Sequence, residues 1–155
     1  MIRGGYGWAL AAWSGYMLFF FNVWETYVLC RHCPFYGENS RILHCIANHG
    51  MIKIWKYQPG PMTRWEQVQF LTGAGLLVIF PLPFLILGGE MLLLVLTVLG
   101  MGNFIFSLVK QVCPRCVNFS CPLNRVPAGI REQYLAQNPV LAEAWQTGDR
   151  KSKAN

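Results

Sequence analysis

Three long apolar blocks alternate with polar segments along this chain. The first runs from about Tyr6 to Leu29, as Y-G-W-A-L-A-A-W-S-G-Y-M-L-F-F-F-N-V-W and onward. The second runs from about Val68 to Leu87 and the third from about Met91 to Val109. Within each block the apolar residues are contiguous and do not recur on one face only. A helix needs about 20 such residues to cross the hydrocarbon of a bilayer, and the blocks are about that long. The first block lacks a small-residue cleavage site and ends in large aromatics, so it reads as a span and not as a cleaved signal.

Only Gly88, Gly89 and Glu90 separate the second and third blocks. Glycines supply the backbone freedom of a tight turn, which predicts a helical hairpin. Pro81 and Pro83 are expected to kink the second helix near its far end. The expectation is an all-α membrane protein with three transmembrane helices, a first span plus a tight hairpin. A cysteine-rich cytoplasmic cap and short C-terminal helices complete it. The chain then divides into a first span (1–29), a cysteine-containing loop (30–67), the hairpin (68–109) and a cysteine cluster with a helical tail (110–155).

Composition agrees with this reading. Of the 155 residues, 54% are hydrophobic and 13% charged, against about 25% charged in a soluble domain. The net charge of +6 could suggest nucleic acid. It is rejected as a partner, because the basic residues sit at helix ends and in loops. Three spans put residues of about 25–67 and everything after Lys110 on one side of the bilayer. That side carries Arg31, Arg41, Lys53, Lys56, Arg64, Lys110, Arg115, Arg125, Arg131, Arg150, Lys151 and Lys153, and the other side only Arg3. The positive-inside rule makes the richer side cytoplasmic and the N-terminus external.

This topology gives the cysteines their meaning. Cys30, Cys33 and Cys45 form one cluster, and Cys113, Cys116 and Cys121 another. Both fall on the same, reducing side, where structural disulfides are rare and a C-x-x-C pair is a metal or redox site. Two thiolates three residues apart on a tight turn can face one ion, at about 2.3 Å for zinc. Prolines follow Cys33, Cys113 and Cys121, and such turns aim backbone N–H groups at the sulfurs. Cys30, Cys33, Cys113 and Cys116 are the expected four-thiolate ligand set, each pair starting where a span ends. Cys45 and Cys121 are additional candidates or buried free thiols, since a free cysteine often serves as a small core hydrophobe. His44 is the better histidine candidate. His32, inside the first C-x-x-C, is expected to point away from the thiols. Four thiolates suit zinc, as a clasp between loops, or an iron or iron–sulfur centre, as an electron carrier.

Polar residues inside the blocks carry further expectations. Asn22 and Asn103 sit at similar depths, where a bond across helices contributes about 1 kcal/mol. Glu25 lies just below Cys30, and proton uptake for a quinone is its functional reading. The polar, aromatic segment 46–66 is expected along the membrane surface. In the tail, one helix is expected from Pro127 to about Gln137. Asn138 caps a second, through about Gln146. Their apolar residues Ile130, Tyr134, Leu135, Val140, Leu141 and Trp145 are expected to pack on the cap. Phosphate-binding glycine loops and H-E-x-x-H are absent from the sequence.

The strings C-R-H-C-P-F-Y, K-I-W-K-Y-Q-P-G-P-M-T-R-W-E and C-P-R-C-V-N-F-S-C-P-L-N-R-V-P carry a resemblance. Together, from about residue 30 to 145, they resemble a group of small uncharacterised prokaryotic integral membrane proteins with paired C-x-x-C motifs. The resemblance implies the topology and brings no activity with it. The expected function is an accessory or structural subunit of a membrane complex with a cytoplasmic metal site. Its partners are the lipid bilayer and other membrane subunits, and the chain is small for catalysis on its own. The rivals are an electron-transfer protein linked to quinone and a membrane thiol–disulfide oxidoreductase.

Overall fold

A computed structural model describes the backbone of residues 5–154 and the side chains of 5–148. Arg3 lies outside the described residues, as do the side chains of Arg150, Lys151 and Lys153 and all of Asn155. The fold is helical, and among the described residues extended pairing is confined to one isolated bridge, Ile42 to Ile52.

The first block forms α1 (Gly7–Phe19), which passes through a π-helical turn (Phe20–Trp24) into α2 (Glu25–Val28). The second forms α3 (Arg64–Ile79) and α4 (Pro81–Leu87), divided at Phe80 where the prolines predict a kink. Pro81 has no N–H to give the carbonyl of Leu77, one helical turn back. The indole Nε1 of Trp13 donates to that carbonyl instead, at 3.0 Å. Tyr16 donates its hydroxyl to the carbonyl of Gly73 at 3.1 Å. These two bonds hold α1 against α3. Gly73 is needed for the close approach, because a Cβ there would lie 2.5 Å from Cε2 of the buried Phe20 ring.

α3 starts four residues before Val68. Thr63 and Glu66 form a capping box: Oγ1 of Thr63 accepts from the Glu66 N–H at 3.2 Å, and Oε2 of Glu66 accepts from the Thr63 N–H at 2.7 Å. The signal T-R-W-E stands in the sequence and marks the true helix start. At the other end, Gly89 takes φ +67°. The N–H groups of Gly89 and Glu90 then return to the carbonyls of Ile86 and Leu85, each at 3.0 Å. This is a Schellman closure, and it makes the expected hairpin turn.

The third block is α5 (Met91–Ser107), which passes through a second π-helical turn (Leu108–Val112). No residue of α5 is buried. Two helical stretches, Arg64–Leu87 and Met91–Arg115, are long and apolar enough to cross a membrane. The first block is not among them, since its Trp, Tyr and Gly residues with Asn22 and Glu25 make it less apolar.

One core cluster joins Phe20, Val28, Leu29, Met62, Phe70 and Leu77. A second, at the other end of the bundle, joins Ala9 and Leu85 with Tyr6 and Phe84 around them. The hairpin turn therefore lies beside the start of α1, as expected. The bond expected between Asn22 and Asn103 is not made. Asn22 donates to the Leu18 carbonyl of its own helix at 2.8 Å, and Asn103 is exposed. An exposed amide one turn above a helix carbonyl satisfies itself locally.

The tail forms α6 (Ala128–Gln137) and α7 (Pro139–Ala154), the latter extending past Gln146. Asn138 gives its carbonyl to the Ala142 N–H, while its side chain turns back to the Tyr134 carbonyl at 2.8 Å. Leu141 is buried, and Tyr134 and Trp145 meet Phe119 of the cap. Ile130 and Val140, expected to pack there, are exposed. Segment 38–62 folds back on itself, with the Leu43 N–H bonded to the Met51 carbonyl at 2.8 Å.

Candidate functional site

The two C-x-x-C turns are built alike. After α2 the chain tightens into a 3₁₀ turn at Cys30–His32. The Cys33 N–H bonds the Cys30 carbonyl at 2.9 Å, and Cys33 itself is extended (φ −80°, ψ 137°). After the second π-helical turn comes a 3₁₀ turn at Cys113–Arg115, and Cys116 is extended in the same way (φ −83°, ψ 122°). Each cysteine turn thus follows a helix that carries a π-helical turn, a feature frequent at functional sites.

The turns aim N–H groups at sulfur. The backbone amides of Phe35, Asn118 and Leu123 donate to Cys33, Cys116 and Cys121. The Asn48 backbone N–H donates to Sγ of Cys45 at 3.2 Å, and its side-chain Nδ2 to Sγ of Cys30 at 3.3 Å. Asn48 was not singled out in the sequence, though its place three residues after Cys45 is the spacing that permits this. Asn118 ties the second cluster to the first by donating to the Leu29 carbonyl at 3.1 Å.

Both clusters share one cavity of about 140 Å³. Cys30, Cys33, Cys45 and Cys116 stand on its wall with Glu25 and Asn48. Cys113 does not line it, and Cys45 does. Cys121 does not line it and packs against the core cluster around Phe20 and Met62. His44 sits at the surface, its Nδ1 3.0 Å from Oε2 of Glu38, and off the cavity wall. His32 points away from the thiols, as expected. It is buried, with Nδ1 2.8 Å from the Gly60 carbonyl and Nε2 3.4 Å from Oε1 of Glu66. Arg31 pairs with the same Glu66 and lies over the Tyr27 ring. The residues between the cysteines thus anchor the turn to α3 and leave the thiols to the cavity.

Burial sets the electrostatics of the thiols. It pushes Cys30 well above the ordinary thiol range, with Glu25 adding to the effect and the Asn48 amide opposing it. Burial lifts Cys33 to about 12, partly offset by the Phe35 N–H. Cys116 is raised by the same cause, and Cys121 reaches about 11. All six cysteines are free thiols. Among the described residues, no three His, Cys, Asp or Glu side chains converge as a ready ligand group; the thiols stand around the cavity. A larger cavity of about 400 Å³ lies between Pro34–Glu38 and the α6–α7 junction, and it carries no thiol.

No protein-family model matches the chain, and no curated protein or solved structure is similar to it.

Proposed function

We propose that this chain is a three-span protein of the cell membrane whose cytoplasmic cap holds a metal ion on cysteines from both clusters, serving as an accessory or structural subunit of a membrane complex. One observation carries the reading: two similarly built C-x-x-C turns, with N–H groups aimed at their sulfurs, open on one cavity. A ligating cysteine must be a thiolate. Hydrogen bonds to that charged form stabilise it, and a cation supplies the remaining compensation for its burial. The thiol–disulfide reading is weaker, since burial holds Cys33 at about 12 and leaves few thiolates to attack a disulfide.

The first helix is the third span in this reading. Its length, Gly7 to Val28, matches a bilayer, and its interior tyrosine and tryptophan donors are spent on helix carbonyls. The lysine and arginine bias supports a cytoplasmic cap.

Metal analysis of the full chain, purified anaerobically in detergent, tests the proposal. We expect about one metal equivalent, lost on replacing Cys33 and Cys116 together with Ser and retained on replacing Cys121 with Ala. Metal-free protein at every step of purification, unable to take up zinc or iron afterwards, sinks it. Iron with a visible charge-transfer band would move the assignment to the electron-transfer rival. Strong labelling of the cysteines from outside intact cells would reverse the orientation.

A further inference from the structure

Two charged residues stand on the wall of the thiol cavity, Arg115 and Glu25. Arg115 is exposed to solvent. Glu25 is only 8% exposed, and its Oε2 atom is enclosed with no hydrogen-bond partner. An enclosed, unsatisfied polar atom costs about 1–3 kcal/mol. The fold nonetheless holds this carboxyl in place, in the last helical turn before Cys30, where the Leu29 N–H bonds the Glu25 carbonyl at 2.8 Å. Asn48 is on the same wall and ties down the neighbouring Cys30 sulfur. Asn48 also bonds the Glu25 carboxyl, yet the Oε2 atom is left without a donor on the wall it shares with four thiols, Cys30 nearest, where a cation would satisfy it.

We infer that Glu25 donates a carboxylate oxygen to the ion held by the cysteines, making a mixed thiolate–carboxylate site for a single divalent transition-metal ion of the zinc class. The inference rests on the metal-site reading above and sharpens it. Zinc takes thiolate and carboxylate ligands together in four-coordinate sites, whereas iron–sulfur clusters are held by thiolates. Charge sets the donor count. Four thiolates and a carboxylate around one divalent ion would leave three uncompensated negative charges in an enclosed place, a large desolvation cost. Three thiolates and Glu25 complete a tetrahedral set with one charge fewer, and one of the four cavity cysteines stays a thiol.

Cobalt(II) titration of the full chain in detergent tests this, because the ultraviolet thiolate-to-cobalt intensity counts bound sulfurs. The wild type is expected to show intensity for three thiolates. In Glu25→Gln the spare thiol replaces the lost oxygen. The intensity then rises to that of four, and affinity falls about 10-fold or more, as it does even when outer-sphere partners of a metal are removed. Equal intensity in wild type and Glu25→Gln overturns the inference while leaving a thiolate site intact. Failure of the wild type to bind cobalt, zinc or iron overturns both this inference and the reading it rests on. Cadmium NMR of the wild type alone gives an independent answer, since its shift separates an all-sulfur from a mixed sulfur–oxygen site. An all-sulfur shift overturns the inference even if Glu25→Gln does not fold.

Discussion

Cys121 shows at the level of one side chain how the same residue type takes two roles here. It packs against the core cluster that holds Phe20, Val28, Leu29 and Met62, and burial raises its thiol to about 11. A group raised in the folded state holds its proton there longer than in the unfolded chain. Its contribution to stability is full below about pH 8.5, the pKa of a free thiol, and is lost as pH rises toward 11. Thermal unfolding of the metal-free protein in detergent should therefore be flat to about pH 8.5 and decline above it. Cys121→Ala should reduce that slope and not abolish it, since Cys33 is raised too, to about 12. A slope identical to wild type would mean that the Cys121 thiol ionises freely in the fold.

Among the elements, the division of the second apolar block is the clearest case of sequence and structure meeting. Pro81 and Pro83 gave the position of the break, and Gly88–Gly89 the turn, because each has one backbone consequence that context does not alter. What Trp13 does at that break was not readable, since the contact joins residues 64 apart in sequence. Its indole satisfies the carbonyl that Pro81 orphans. Trp13→Phe keeps an aromatic side chain, though a smaller one, and removes the donor, so an unpaired carbonyl remains between packed helices. The expected cost is about 1–3 kcal/mol, read as a lower unfolding temperature in detergent, and Trp13→Phe combined with Pro81→Ala should recover part of it. The site was legible in the same partial way. The C-x-x-C turns and a His32 that faces away from the thiols follow from local spacing. The place of Cys45 on the cavity wall depends on how segment 38–62 folds back through Leu43 and Met51, and no short-range pattern specifies that.

Across the whole molecule, the two ends of the bundle are held by different means. At the hairpin end, Tyr6 and Trp8 meet Phe84, and Ala9 and Leu85 form a buried contact, with the covalent turn joining α4 to α5. At the cap end, α5 brings no buried residue, and its continuation is tied to the first half by Asn118 and the shared cavity. An ion held between Cys116 and thiols of the first cluster would thus add a link to those that Asn118 and Cys121 make. Binding to the folded state stabilises it by about 2.7 kcal/mol at a free metal concentration 100 times Kd. In a chain held unevenly that stabilisation should be local. Hydrogen exchange of the detergent-solubilised protein, with zinc and after chelation, measures it. Chelation should speed exchange in about 108–126 and 30–50 by an order of magnitude or more. The amides of Gly88, Gly89 and Glu90 should stay within about twofold of their metal-loaded rates, because their carbonyl partners lie within the hairpin itself. Equal acceleration at both ends would show instead that the cap is part of one cooperative unit with the helices. No change at either end would leave the cavity with no part in holding the chain together.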